Sequence, residues 1–283
     1  MKSHQVLAGF AIATSALVLA VADPSDALVP AAAEPVMAPD DDRDAAGVLL
    51  SEKDLDEMLA PLALYPDPLV AIILPAATAP SDIVLASRYL ASHAGVASYD
   101  DQPWEDSVRS LARYPEVIKW MDENLGWTKR LGEAFVRQPV DVMNGIQRLR
   151  AKARASGALA SNSRQTVVED SDIIRIVPAQ TDVIYVPRYD PFAVYMGYSY
   201  AWQGPLISFG IGFPLGYWAA YDCDWRSRRI CVVGREYRVR VWNDCRIGRI
   251  PLHHYCSDHH HAGQWSVWHS RSLPPVSGNH RHT

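Results

Sequence analysis

The densest set of ligand-type side chains in this 283-residue chain is His253-His254, then Cys256, Asp258 and His259-His260-His261. Neutral imidazoles beside a carboxylate coordinate Zn, Cu or Ni, so His253, His254, Asp258, His259, His260 and His261 form a candidate metal site. Adjacent histidines on a flexible strip do not preorganise a site, and a polar, pH-sensitive tail is the plain alternative. A second set is cationic. Arg228, Arg229, Arg235, Arg238 and Arg240, with Arg226, Arg246 and Arg249, are interleaved with Trp225, Tyr237 and Trp242. In a cytoplasmic protein that pattern would suit nucleic acid. Behind an export signal the available anions are lipid phosphates or envelope polymers instead, and no nucleic acid is expected. Solvated strand-face charge is the competing reading.

Catalytic signatures are sparse. Gly-x-Ser-x-Gly, His-Glu-x-x-His, a P-loop and a dinucleotide fingerprint are all missing from the sequence. The carboxylates Asp56, Glu57, Asp67, Glu105, Asp106 and Glu116 could pair for acid–base work. Asp67 and Glu116 read more simply as helix N-terminal residues facing the macrodipole. His93 reads as a solvated helix-end group. No catalytic residue is assigned, and no cofactor beyond the possible metal.

The compartment decides how these groups are read. Lys2 precedes an uncharged run from Gln5 to Ala22 ending in Ala20-Val21-Ala22, the small-x-small pattern of a signal-peptidase site. An uncleaved anchor is the alternative. The expectation is export to the periplasm, cell envelope or medium, with any membrane association peripheral. Cys223, Cys231, Cys245 and Cys256 then read as two disulfides in an oxidising compartment, with three pairings open. Charge is split along the chain: residues 1–222 carry −11 and residues 223–283 carry +6, with eight of the ten histidines in the second part. An acidic body with a basic end suits contact with anionic partners.

The elements that position these groups follow from periodicity. Residues 23–50 are Ala/Pro/Asp-rich and read as a disordered acidic linker. Residues 51–157 read as helical, with Ser51 as N-cap, Asp54 at the third helical position, and Leu55, Met58, Leu59 and Leu62 on one face. Tyr65-Pro66 ends that helix, and Asp67-Pro68 opens the next, which Pro75 truncates or kinks. Further helices are expected over 81–92, 104–113, 116–124, 128–137 and 140–155, the last closed by Gly157. The run from Leu55 to Asp67 can be laid on Trp104 to Glu116 at a constant offset of 49 residues. It reads as a duplicated helix–Tyr-Pro–helix unit or as chance likeness between amphipathic helices.

After Gly157 the period becomes two. Residues 166–168, 173–177 and 183–186 read as strands, with Pro187 and Pro191 stopping the third. Residues 191–221 lack Asp, Glu, Lys and Arg and carry ten aromatics. Ile207, Phe209, Ile211, Phe213 and Leu215 alternate there with Ser208, Gly210, Gly212, Pro214 and Gly216. An extended segment on an apolar surface is expected, with membrane-interface contact as the alternative. Residues 229–233 and 237–242 are expected to form a hairpin turning near Gly234.

The run Asp56-Glu57-Met58-Leu59-Ala60-Pro61-Leu62-Ala63-Leu64-Tyr65-Pro66-Asp67-Pro68-Leu69 resembles the opening of the exported bacterial domain-of-unknown-function 3300 family (DUF3300). Gly126-Trp127-Thr128, Leu131-Gly132-Glu133-Ala134-Phe135, Asp141-Val142-Met143, Gln147-Arg148-Leu149-Arg150 and Val183-Ile184-Tyr185-Val186-Pro187-Arg188-Tyr189-Asp190-Pro191 extend the similarity over roughly 51–195. Pro75 departs from the pattern, where the family helix usually continues. The resemblance implies an envelope or secreted location and supplies no reaction.

The expected architecture is α+β: a signal peptide (1–22), the linker (23–50), a helical domain with a β appendix (51–190), the Gly/aromatic segment (191–221) and a small disulfide-bearing basic β module (222–283). The expected role is a non-catalytic interaction or structural module contacting anionic envelope lipid, polymer or an envelope protein. A periplasmic metal-binding protein and a carboxylate-dependent hydrolase are the alternatives.

Overall fold

Helix α1 (Glu52–Leu59) starts from a reciprocal cap. The Asp54 N–H donates to Ser51 Oγ at 3.2 Å, and the Ser51 N–H donates to the Asp54 carboxylate at 3.4 Å. In the computed structural model, residues 49–93, 98–180, 182–196, 206–216, 218, 220–233 and 265–270 are described. They lie within one unit, Asp41–Thr283. The expected signal peptide and residues 23–48 of the linker fall outside the described residues.

Helix α2 (Asp67–Ala76) is buried on every side, so it has no polar face and forms the centre of the helical body. Pro68 sits in its first turn, where a missing N–H leaves no bond unmade. Pro75 is the penultimate residue; the helix stops at Ala76, and the Thr78 hydroxyl caps the Pro75 carbonyl at 2.7 Å. The chain then bends by 111° into α3 (Pro80–Ser92). Helices α4 (Asp106–Leu111) and α5 (Pro115–Glu123) repeat the helix–Tyr-Pro–helix arrangement of α1 and α2. Helices α6 (Leu125–Arg137) and α7 (Pro139–Ala155) complete the body, and Gly157 at φ +78° closes α7. Among the described residues no single helix is long and apolar enough to cross a membrane.

Two glycines set the helix spacing by lacking a Cβ. A Cβ on Gly132 would lie 2.1 Å from the Ala77 carbonyl oxygen, so α6 crosses the end of α2 at backbone distance. A Cβ on Gly145 would lie 2.7 Å from a Leu59 methyl, and α7 closes on α1 for the same reason.

Strands β1 (Gln165–Asp170) and β2 (Ile173–Pro178) form an antiparallel hairpin turning at Ser171, whose φ is +58°. Strand β3 (Val183–Tyr189) runs past Pro187, the first of the two prolines expected to stop it, and ends before the second, Pro191. It continues to Tyr189 through a register shift between Tyr185 and Pro187, because a bulge accommodates a residue without a ladder donor. After α8 (Pro191–Met196), β3 pairs antiparallel with β4 (Ile207–Pro214).

The small side of β4 stays largely exposed at Ser208, Gly212 and Pro214, with side chains of β3 lying close over its two glycines. Gly212 lies opposite Tyr185, whose ring would meet a Cβ at 2.9 Å, and Gly210 lies under the Arg188 guanidinium. The bulky side is only partly used: Phe213 and Leu215 are buried, whereas Ile211 is 69% exposed.

Strand β6 (Arg229–Val233) is central, between β5 (Tyr221–Asp224) and β7 (Trp265–Val267). This corrects the expected hairpin of 229–233 with 237–242. Both edges of β6 are taken by other segments, and 237–242 lies outside the described residues. The hydrophobic cluster of α1–α7 continues without a break into Tyr221, Cys223, Trp225, Ile230, Cys231 and Val233. A second, smaller cluster gathers Leu64, Ala153, Leu159, Ile174, Ile176 and Val194.

Candidate functional site

Among the described residues, the charged groups that the fold withdraws furthest from water are Asp67, Arg150, Arg175 and Asp222, each with at most 1% of its surface exposed. They come from the first turn of α2, from α7, from the middle of β2 and from β5. Arg150 Nη1 donates to Asp67 Oδ1 at 2.6 Å, and the Ile176 N–H donates to the same oxygen at 3.2 Å. Arg175 Nε and Trp225 Nε1 donate to Asp67 Oδ2 at 2.7 and 2.9 Å. A carboxylate has room for about four such bonds, so Asp67 is saturated.

The arginines are equally committed. Arg150 donates to the carbonyls of Ala63, Tyr65 and Ile174, and its guanidinium stacks 4.6 Å from the Trp225 ring centre. Arg175 Nη2 donates to Asp222 Oδ1 at 2.9 Å. Gln147 supports the cluster by pairing its amide with both backbone groups of Ile174.

Two aspartates and two arginines make the cluster formally neutral. Burial by itself would push the Asp67 carboxyl up, but Arg150 and Arg175, with the hydrogen bonds from Arg175 and Trp225, hold it below the usual range. Burial, with Asp67 and Asp222 close by, pushes the neighbouring Cys223 thiol well up. A carboxylate in this setting is ionised, fully hydrogen-bonded and shielded from any substrate. It is suited to joining four segments rather than to moving a proton.

The other carboxylates singled out from the sequence engage separate partners. Asp56 bridges Arg148 and Lys152, both at 2.8 Å, and Glu52 reaches Arg148 at 3.1 Å. Glu57 pairs with Lys53, Asp106 with Arg109, and Glu116 with Arg188 at 2.7 Å. The Glu105 N–H donates to Asp82. Asp67 does not face Glu116 across the repeated corner. His93 caps α3, is exposed and stacks on Tyr89 at 4.2 Å, as a helix-end residue should.

The surface arginines divide. Arg226 on the β5–β6 turn and Arg229, the first residue of β6, are exposed. Arg228, at φ +54°, donates to Asn144 Oδ1 and to the Trp225 carbonyl, which braces the turn from inside. A shallow cleft of about 250 Å³ lies between this turn and the β1–β2 turn, lined by Asp170, Ser171, Asp172, Ile173, Arg226 and Arg228. Arg235, Arg238 and Arg240 lie outside the described residues. So do the candidate ligands His253, His254, Asp258, His259, His260 and His261, and the cysteines Cys245 and Cys256. Among the described residues no cluster of three or more His, Cys, Asp or Glu could hold a metal ion. Cys223 and Cys231 are both buried and not joined to each other.

Arg150, Arg175 and Asp222 are not identified from the sequence as partners of Asp67. A signal is present there: Arg175 is the one charge in Ile173-Ile174-Arg175-Ile176-Val177, and Asp67 leads an otherwise apolar helix. A charge in wholly apolar company needs a buried partner.

A family model described as "Protein of unknown function (DUF3300)" matches residues 51–268, a span that takes in β4 to β7 as well as the helices. The "Uncharacterized protein YacH" of Escherichia coli (strain K12) is 34% identical over 185 aligned residues, covering 51% of this chain and 30% of the relative. The chain therefore spans less than a third of that relative's length. No solved structure matches.

Proposed function

Because the chain belongs to the DUF3300 family, a membership that brings no reaction with it, we propose a role argued from its own charges: an exported, non-catalytic interaction module of the cell envelope that contacts anionic lipid or polymer through its arginine-rich C-terminal part. The observation that carries this reading is the β5–β6 turn. Arg228 is spent on bracing it, which leaves the Arg226 and Arg229 guanidinium groups outward on a short, fixed support. The −11 body and +6 end would orient the molecule with that turn toward an anionic surface. Export supplies both the anions and an oxidising setting for the cysteines.

The test is charge reversal. The full chain carrying Arg226→Glu and Arg229→Glu is expressed beside the unaltered chain, and the envelope-bound share of each is measured at low salt. The reading expects a several-fold loss of bound protein. Equal retention, with the variant folded by circular dichroism, would refute it.

A further inference from the structure

We infer that Cys223 and Cys231 cannot be disulfide partners of each other, so that a disulfide within the chain from either must use Cys245 or Cys256. The register decides this. Cys223 lies opposite Ile230, and Cys231 lies opposite Asp222. Residues directly opposite in an antiparallel pair share a face, and successive residues alternate faces. Cys231 follows Ile230, so it projects from the opposite face of the sheet to Cys223. A disulfide requires converging Cβ vectors about 3.5–4.5 Å apart, which two cysteines on opposite faces of paired strands do not provide.

Packing reinforces the exclusion on both sides. Cys223 is 1% exposed, with its thiol donating to the Asp67 carbonyl at 3.5 Å; Cys231 is fully buried within the same hydrophobic cluster. Bringing the two sulfurs together would require unpairing β5 from β6 and pulling Asp222 from Arg175. Burial and the two nearby aspartates also hold the Cys223 thiol protonated, which slows exchange at that sulfur.

Of the three pairings open to four cysteines, the one joining Cys223 to Cys231 and Cys245 to Cys256 is removed. If all four oxidise within the chain, each of the remaining two pairings joins one of Cys223 and Cys231 to Cys245 and the other to Cys256. In each link two thiols lose two protons and two electrons as the S–S bond forms. The electrons pass by exchange to a disulfide-bearing oxidant, whose own S–S bond opens to a dithiol. The oxidant belongs to the export reading proposed above; the exclusion itself rests on register alone.

The full chain carrying Cys245→Ser and Cys256→Ser is held natively with oxidised glutathione, then unfolded in an alkylating agent and weighed. The inference expects no internal cross-link: both cysteines are alkylated, or are capped by glutathione. A species with two fewer hydrogens and no alkylation would overturn it. A non-reducing peptide map of the unaltered protein from the envelope fraction gives a result that does not depend on the variant folding. Cys223 joined to Cys245 or Cys256, or recovered as a thiol, agrees. Cys223 joined to Cys231 contradicts. Four thiols in that map would count against the export reading while leaving the exclusion standing.

Discussion

Arg175 on β2 donates its Nε–H to Asp67 on α2 across 2.7 Å, with both side chains out of solvent and the two residues 108 positions apart in the chain. The pair is half of a neutral quartet completed by Arg150 and Asp222. Burying four charges costs a great deal of hydration, which these ion pairs and hydrogen bonds offset only because every one of them is made. The consequence is conditional assembly. The helical body buries Asp67 favourably only when β2 supplies Arg175 and β5 supplies Asp222, with Trp225 just beyond it. The helices and the C-terminal strands are therefore expected to unfold together.

Asp67→Asn tests that coupling. It leaves two guanidinium groups buried against one carboxylate, and removing one partner of such a pair costs about 3–5 kcal/mol. Urea unfolding followed by circular dichroism should show one transition at a much lower midpoint. A loss below about 1 kcal/mol would mean that water reaches the cluster.

Trp225→Phe is the milder probe of the same contact. It keeps an aromatic ring for Arg150 but removes the Nε1–H bond to Asp67. Hydrogen bonds to charged groups are worth about 1.5–3 kcal/mol, and a loss in that range is expected in the same assay.

The pH response has a defined sign. The Asp67 carboxyl is held below its ordinary value of 3.8, so its contribution is complete above that pH and is lost as pH falls through the lower folded value. At the alkaline end the order reverses. Cys223 is raised well above 9.0, and burial raises Tyr65 to about 12 from 10.0. The unfolded chain releases those protons first, so stability falls as pH climbs past the ordinary values. Thermal unfolding across the pH range should show both limbs, and Asp67→Asn should flatten the acid one. An acid limb unchanged in Asp67→Asn would assign it to other carboxylates.

Gly132→Ala tests the α6–α2 crossing. The added methyl would meet the backbone of Ala77 rather than a side chain able to move. Overpacking of this kind costs about 1–3 kcal/mol, measurable as a lowered unfolding midpoint. An unchanged midpoint would show that α6 can shift outward freely.

The helices are legible in the sequence because their signals are local. Ser51 with Asp54, the proline openings and Gly157 each specify a terminus within a few residues of themselves. The Tyr-Pro corners are legible for the same reason. Pairing beyond the neighbourhood is not. Residues 229–233 carry a clear strand pattern, but nothing in them names Tyr221–Asp224 and Trp265–Val267 as the strands on either side. Asp67 reads correctly as a residue of a helix's first turn, and its position there suggests a macrodipole role. Its actual partners lie 83, 108 and 158 residues away. Local periodicity carries no record of contacts at that separation.

The proposed electrostatic attachment outside the cytosol is tested by one fractionation. Cells producing the full chain are separated into cytosolic, periplasmic and envelope material, and the envelope is washed first with high salt and then with detergent. Screening shortens the reach of exposed charges to about 3 Å at molar salt, so envelope-bound protein that the salt wash releases is expected. Recovery in the cytosol, or release only by detergent, would contradict that attachment.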